Sequence, residues 1–190
     1  MKTKLLAFST LFIASLTVSA QQALKVGDKA PEFQATADDG SNWNIKKFLG
    51  KEYIVVYFYP AAMTSGCTKQ ACSYRDHQDN LKAAGIVVVG ISGDRAVDLS
   101  LFKKADNLNF TLLSDEKGKI AEKFGVPVSE GGSVKRTVDG TEHELVRGVT
   151  EKRWTFIIGK DGKIIYKNES VDPAKDPEDI LAFIKEQTPR

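Results

Sequence analysis

Residues 53–59, Tyr-Ile-Val-Val-Tyr-Phe-Tyr, constrain this chain more than any other stretch. A run of β-branched and aromatic residues without polar alternation predicts a strand buried on both faces, as in a sheet covered by helices on each side. Pro60 ends it, because proline has no N–H to give the ladder. Residues 64–81 then predict a helix, with Thr64 or Ser65 as N-cap and Gly85 as its stop. This order places Cys67 in the first turn of a helix that follows a central strand. Both cysteines of the chain, Cys67 and Cys72, lie in this segment.

The rest of the chain repeats the strand–helix alternation. Residues 86–92, Ile-Val-Val-Val-Gly-Ile-Ser, predict a second buried strand. Residues 96–105 predict a helix with Leu99, Leu101 and Phe102 inward. A third strand is expected at 110–113, and a short helix at 119–124 stopped by Gly125. Strand, helix, strand, helix, strand implies parallel pairing with crossovers. Residues 153–158 and 163–167 predict two strands joined by Gly159-Lys-Asp-Gly162, a hairpin. Residues 176–187 predict the last helix, with Pro177 at its start and Ile180, Leu181 and Ile184 facing in. Residues 24–39 read as an exposed lead-in. Asp39-Gly40-Ser41 forms a tight turn, and Trp43 and Ile45 a short strand. Residues 126–152 carry turn chemistry and a small hairpin around Asp139-Gly140, and read as a surface loop rather than a flap over a site.

The first twenty residues predict a cleaved leader. Lys2 and Lys4 supply a positive start, residues 5–18 are mostly apolar, and Val18-Ser19-Ala20 offers small residues for cleavage. The expected organisation is a signal peptide over 1–20 and one domain over 21–190. Export implies a bacterial periplasm or secretion, and oxidising surroundings. Of the 27 Lys and Arg and 25 Asp and Glu, the leader holds two basic residues and no acid. The mature chain then balances 25 against 25, so no basic field favours nucleic acid or anionic lipid. No membrane association is expected after cleavage.

A helix N-terminus carries unsatisfied N–H groups and partial positive charge, both favourable to an anion. A thiol there becomes a better nucleophile. The alternative is a small buried hydrophobe, but Thr64, Ser65, Gly66 and Thr68 around Cys67 are poor core material.

Pro60, Thr64 and Cys67 match the peroxiredoxin pattern of proline, three residues, threonine, two residues, cysteine. Arg153, before Trp154-Thr155-Phe156, matches the arginine that family carries on a later strand. From about Val26 onward the chain resembles a peroxiredoxin, and Cys72 resembles the resolving cysteine of the bacterioferritin comigratory (Q-type) branch. Ser65 and Gln70 depart from it, standing where the branch usually has proline and glutamate. The resemblance implies an α/β, thioredoxin-like fold with a central mixed sheet flanked by helices. It implies a peroxidase for hydrogen peroxide and organic hydroperoxides, using no cofactor and no metal. Cys67 is expected to attack the peroxide. Arg153 would favour the thiolate and hold the peroxide oxygens, Thr64 would offer its hydroxyl, and Pro60 would shield the pocket. The Gly66 and Cys67 amides would face the leaving oxygen. Tyr57, Tyr59 and Trp154 are expected as core or pocket wall. A thioredoxin-like dithiol is the implied reductant, and the chain is expected to be a monomer.

Five residues along a helix give about 7.5 Å of rise and side chains about 140° apart. The α-carbons would stand about 8–9 Å apart, beyond the roughly 7 Å that a disulfide spans. Cys72 therefore reaches Cys67 only if the helix start unwinds; otherwise it is an inert thiol. Two other classes use similar parts. An exported copper-delivery protein of the same fold would use both cysteines with His77 or His143. Pro60, Thr64 and Arg153 argue against it, and His77 reads as a surface helix residue. A dithiol-exchange protein usually separates its cysteines by two residues, a spacing absent here.

Overall fold

The computed structural model describes residues 24–187; the leader expected over 1–20 lies outside them. In chain order the strands are β1 (Gln34–Ala37), β2 (Asn42–Asn44), β3 (Tyr53–Phe58), β4 (Ile86–Ser92), β5 (Thr111–Ser114), β6 (Val128–Val138), β7 (Thr141–Glu151), β8 (Trp154–Ile158) and β9 (Ile164–Asn168). The helices are α1 (Ser65–Asp76), α2 (Gln78–Ala83), α3 (Ala96–Ala105), α4 (Lys119–Phe124) and α5 (Asp176–Gln187). Seven strands form one mixed sheet in the order β2-β1-β5-β4-β3-β8-β9. β3 pairs parallel with β4, and β4 parallel with β5, as the crossovers require. β8 runs antiparallel to β3, and β1 antiparallel to β5.

β3 is buried on both faces because successive side chains alternate. Val55 and Tyr57 enter a core with Tyr74 and Leu81, with Leu99 and Phe102 of α3, and with Ile180 and Ile184 of α5. Ile54, Val56 and Phe58 enter the opposite core with Phe33, Trp43, and Ile120 and Phe124 of α4. Each such side chain contributes about 1.5–3 kcal/mol on burial. Gly90 of β4 makes room for Tyr57: a Cβ there would stand 2.6 Å from the tyrosine ring. Tyr57 then stacks on Tyr74 with centroids 4.8 Å apart, which presses α1 against the sheet.

Four expectations change. The lead-in is not simply exposed: β1 is a strand of the main sheet, and Ala30, Phe33 and Ala37 are buried. Ile45 does not continue the Trp43 strand but starts one turn of 3-10 helix, Ile45–Lys47, after Asn44 accepts from the Lys46 amide. The helix over 64–81 is two helices, broken at His77, which is half-buried rather than exposed and whose Nδ1 lies 2.9 Å from the Ser73 carbonyl. The hairpin expected around Asp139-Gly140 is present, but the rest of 126–152 is not a surface loop: the hairpin is the tip of a long antiparallel ribbon, β6 with β7, paired from Val128↔Glu151 to Val138↔Thr141. Its Leu145 is fully buried in the same core as Cys67. Where it crosses the sheet end, the Gly148 amide donates to the Gly93 carbonyl at 2.9 Å. A Cβ on Gly148 would lie 2.1 Å from the Glu116 carbonyl oxygen, so only glycine permits this approach.

Candidate active site

The chain leaves β3 at Tyr59 and turns through Pro60, Ala61, Ala62 and Met63 before α1 begins. Met63 sits at φ 56°, in the left-handed region that a side chain rarely adopts. Three contacts hold this turn. The Ala62 amide donates to Asp94 Oδ2 at 2.8 Å, Arg136 Nε of the ribbon donates to the Met63 carbonyl at 2.8 Å, and Thr64 Oγ1 donates to the Ala61 carbonyl at 2.9 Å. Thr64 is the N-cap by position, but its hydroxyl makes no capping bond and stays within the turn. Its carbonyl accepts from the Thr68 amide at 2.8 Å. The amides of Ser65, Gly66 and Cys67 therefore precede the first helical bond and are the free donors of a helix start.

Cys67 is buried, and Arg153 Nη2 donates to its Sγ at 3.3 Å. The other guanidinium branch, Nη1, donates to Gln70 Oε1 in a short bond. Gln70 Nε2 donates in turn to Asp176 Oδ2 at 2.7 Å. That one oxygen also accepts from Tyr74 Oη at 2.7 Å and Thr155 Oγ1 at 2.8 Å. Burial pushes the Asp176 carboxyl above its ordinary value, while these three donors pull it back. Tyr57 and Tyr59 are core residues, as expected, and burial holds their phenols well above the ordinary range. A thiol, a cation at hydrogen-bond distance and free helix amides can together stabilise a thiolate and an oxygen anion leaving it.

Cys72 lies on the same unbroken helix, half-buried, with Sγ 4.0 Å from Asp106 Oδ1. Burial raises its pKa, Arg75 opposes this, and Asp106 adds to it. Both cysteines are free thiols.

The AhpC/TSA family pattern matches residues 26–167. The chain is 42% identical to peroxiredoxin Bcp of Escherichia coli over 163 residues, spanning 86% of this chain and 97% of that protein. The chain is a peroxiredoxin of the Bcp/PrxQ type. It is 35% identical to the chloroplastic peroxiredoxin Q of Suaeda salsa, over 92% of this chain and 74% of that one. The crystal structure of peroxidoxin BcpB from Mycobacterium tuberculosis superposes with a TM-score of 0.72 at 29% identity, covering 87% of this chain and 99% of that chain. The fold is thus the thioredoxin-like peroxiredoxin fold, and the protein is a thiol-dependent peroxidase, an oxidoreductase.

In this peroxiredoxin the structure brings Cys67 and Arg153 into contact, with Thr64 and Pro60 in the turn that leads to Cys67. Cys72 is not beside Cys67 but five residues further along α1. His77 caps the C-terminal end of α1, and His143 lies on β7 opposite Arg136. Among the described residues no group of three or more His, Cys, Asp or Glu forms a metal-holding cluster, and no helix is long and apolar enough to cross a membrane. Sequence reasoning missed Asp94, Arg136, Tyr74 and Asp176 as supports of the site. Asp94 carried a weak signal, as an acid two residues past the end of a buried strand. Asp176 carried another, as an acid just before Pro177 at a helix start.

Proposed function

We propose that Cys67 is the peroxidatic nucleophile and Cys72 the resolving cysteine of an exported peroxidase. The contact between Arg153 Nη2 and Cys67 Sγ carries this reading. The Cys67 thiolate attacks the terminal oxygen of hydrogen peroxide or an alkyl hydroperoxide. An S–O bond forms, the O–O bond breaks, and the second oxygen leaves as water or alcohol after taking a proton. Sulfur is oxidised to a sulfenic acid. Arg153 holds the peroxide oxygens, Thr64 supplies a hydroxyl, and the Gly66 and Cys67 amides face the leaving oxygen. Pro60 keeps water from the pocket. The Cys72 thiolate then attacks Cys67 sulfur: the S–S bond forms, the S–O bond breaks, and the oxygen leaves as water after taking a proton. An unbroken α1 separates the two, so its first turns unwind in each cycle. A thioredoxin-like dithiol in the same compartment reduces the disulfide and is itself oxidised.

One equivalent of hydrogen peroxide added to reduced protein tests the scheme by free-thiol counts. Wild type loses two thiols, Cys67→Ser none, and Cys72→Ser one. Thiol loss no faster than for an unactivated thiol rejects the peroxidase assignment of Cys67, and an oxidised protein with α1 intact rejects that of Cys72. We propose export on the composition of residues 1–20 and a monomeric mature chain from 21. Mass of the periplasmic or secreted protein tests the first, and light scattering the second.

A further inference from the structure

Asp176 is fully buried, and Oδ2 takes all three of its hydrogen bonds while Oδ1 has none. The bonds come from two elements, α1 (Gln70, Tyr74) and β8 (Thr155), and Asp176 itself opens α5. A carboxylate only accepts and a guanidinium only donates. A glutamine amide standing between them has one orientation that serves both: its NH2 toward Asp176 and its carbonyl toward Arg153. That is the orientation found. The carbonyl then fixes one guanidinium branch and aims the other at Cys67 Sγ, 3.3 Å away. Without an acceptor at 176 the amide is free to turn. The Gln70 side chain, no longer anchored, would swing away, and the guanidinium, without its carbonyl acceptor, would leave the sulfur.

We propose that Asp176 is the positioning residue of this site: it orients the Gln70 amide, and through it sets Arg153 against Cys67. The proposal rests on Cys67 and Arg153 working as a pair, and its test uses no peroxide, so it stands or falls apart from the peroxidase assignment of Cys67. In a Cys72→Ser background, Cys67 is alkylated with iodoacetate and with iodoacetamide. A cation beside the sulfur favours the anionic reagent, by about fourfold for one full charge at ~5 Å in a water-like medium. The ratio of the two rates therefore reports where Arg153 sits. Asp176→Ala is expected to lower that ratio by about threefold or more. Asp176→Asn keeps an acceptor for the three donors and is expected to hold it within about a factor of two.

Gln70→Met removes the amide while leaving Asp176 bonded to Tyr74 and Thr155. It is expected to lower the ratio as far as Asp176→Ala, and it carries the test if Asp176→Ala does not fold. In the Gln70→Met background, Asp176→Asn should have no further effect. An unchanged ratio in folded Asp176→Ala or in Gln70→Met overturns the proposal. So does a fall of both alkylation rates by the same factor, which marks a merely structural role. An Asp176→Asn ratio as low as that of Asp176→Ala also overturns it.

Discussion

Glu151 closes the ribbon just ahead of Arg153, and its side chain is a buried acid that no N–H or hydroxyl reaches and whose hydrogen-bonding neighbour is the Asp115 carboxyl. It is 1% exposed, and neither carboxyl oxygen accepts a hydrogen bond. Burial, first, and then the neighbouring Asp115 and Asp94 push its pKa well above the ordinary value. In the unfolded chain it ionises near the ordinary carboxylate value of about 4.3. Between that value and its folded one, the native protein binds one proton more than the unfolded chain. Stability from this group is therefore complete below the unfolded value and falls as pH rises toward the folded one. Glu151→Gln keeps the shape and the neutrality but cannot ionise in either state. The stability of the variant relative to wild type should grow by about 1.4 kcal/mol per pH unit through this window. For a chain of this length that is about 3–6 °C in melting temperature per pH unit. Urea or thermal melts of both proteins at pH 5, 6 and 7 measure the difference, in which groups common to both largely cancel. Parallel pH curves for the two proteins would refute the argument, and a wild type that gained on the variant with pH would reverse its sign.

Other substitutions probe the remaining contacts. Arg153→Met removes the donor at Cys67 Sγ and is expected to slow thiol oxidation by peroxide about 10²–10³-fold, by analogy with losing one preorganised donor at an oxyanion; stopped-flow fluorescence or competition kinetics measures it, and a loss below tenfold counts against a role for the guanidinium. Gly148→Ala drives a Cβ against the Glu116 carbonyl at 2.1 Å and should destabilise by about 1–3 kcal/mol as the ribbon lifts; an unchanged denaturation midpoint would show that the ribbon is not docked there. In the oxidised protein, hydrogen exchange should rise in the first half of α1 and stay slow around Ser73, Tyr74 and Arg75. Those three are tied by side-chain bonds to the Ala174 carbonyl, to Asp176 and to the Asp106 carbonyl, whereas Ser65 and Lys69 are exposed. Opening from the other end would be seen as the reverse pattern.

The legible parts of this fold were those whose sequence alone decides burial. β3 and β4 are uniformly apolar, and α4, α5 and the Gly159–Gly162 turn are marked by glycine or proline at their ends. β1 was missed because Gln34–Ala37 carries no apolar pattern; it is placed by pairing with β2 and β5. Of the ribbon, the tip around Asp139-Gly140 is legible as a hairpin from its turn residues, but its full length is not. Residues 128–133 of β6 are exposed or half-exposed and carry no core-facing alternation, so backbone pairing and glycine contacts fix that part instead. The break at His77 has no glycine or proline to announce it. At the site, Pro60, Thr64 and Cys67 are neighbours in sequence and were found together. Arg153 was found only through a family resemblance. The supports come from 32, 73 and 106 residues away, as Asp94 to Ala62, Arg136 to Met63 and Asp176 to Gln70, and nothing local in the chain predicts those meetings.

The glutamine at position 70, where a glutamate was expected from the family pattern, follows from what lies behind it. Gln70 Nε2 stands 2.7 Å from Asp176 Oδ2 in a buried setting. A glutamate in the same place would set two carboxylates at that distance, and two such groups cannot both ionise. One of them would hold a proton, and Arg153 would face a carboxylate instead of a neutral carbonyl. That carboxylate would take part of the guanidinium field now directed at Cys67. The amide passes on the hydrogen bond of Asp176 without adding charge, and leaves the cation for the sulfur. Gln70→Glu is therefore expected to slow the reaction of Cys67 with peroxide at neutral pH by about tenfold, the equivalent of one pK unit of lost interaction. It should also make that rate rise as pH falls through the titration of the introduced carboxyl and Asp176, in a range where wild type shows no such rise. Rates measured from pH 5 to pH 8 for both proteins decide it. An unchanged or faster rate in the variant would mean that Asp176 and a glutamate share the site without cost, and that the amide is not what keeps Arg153 on Cys67.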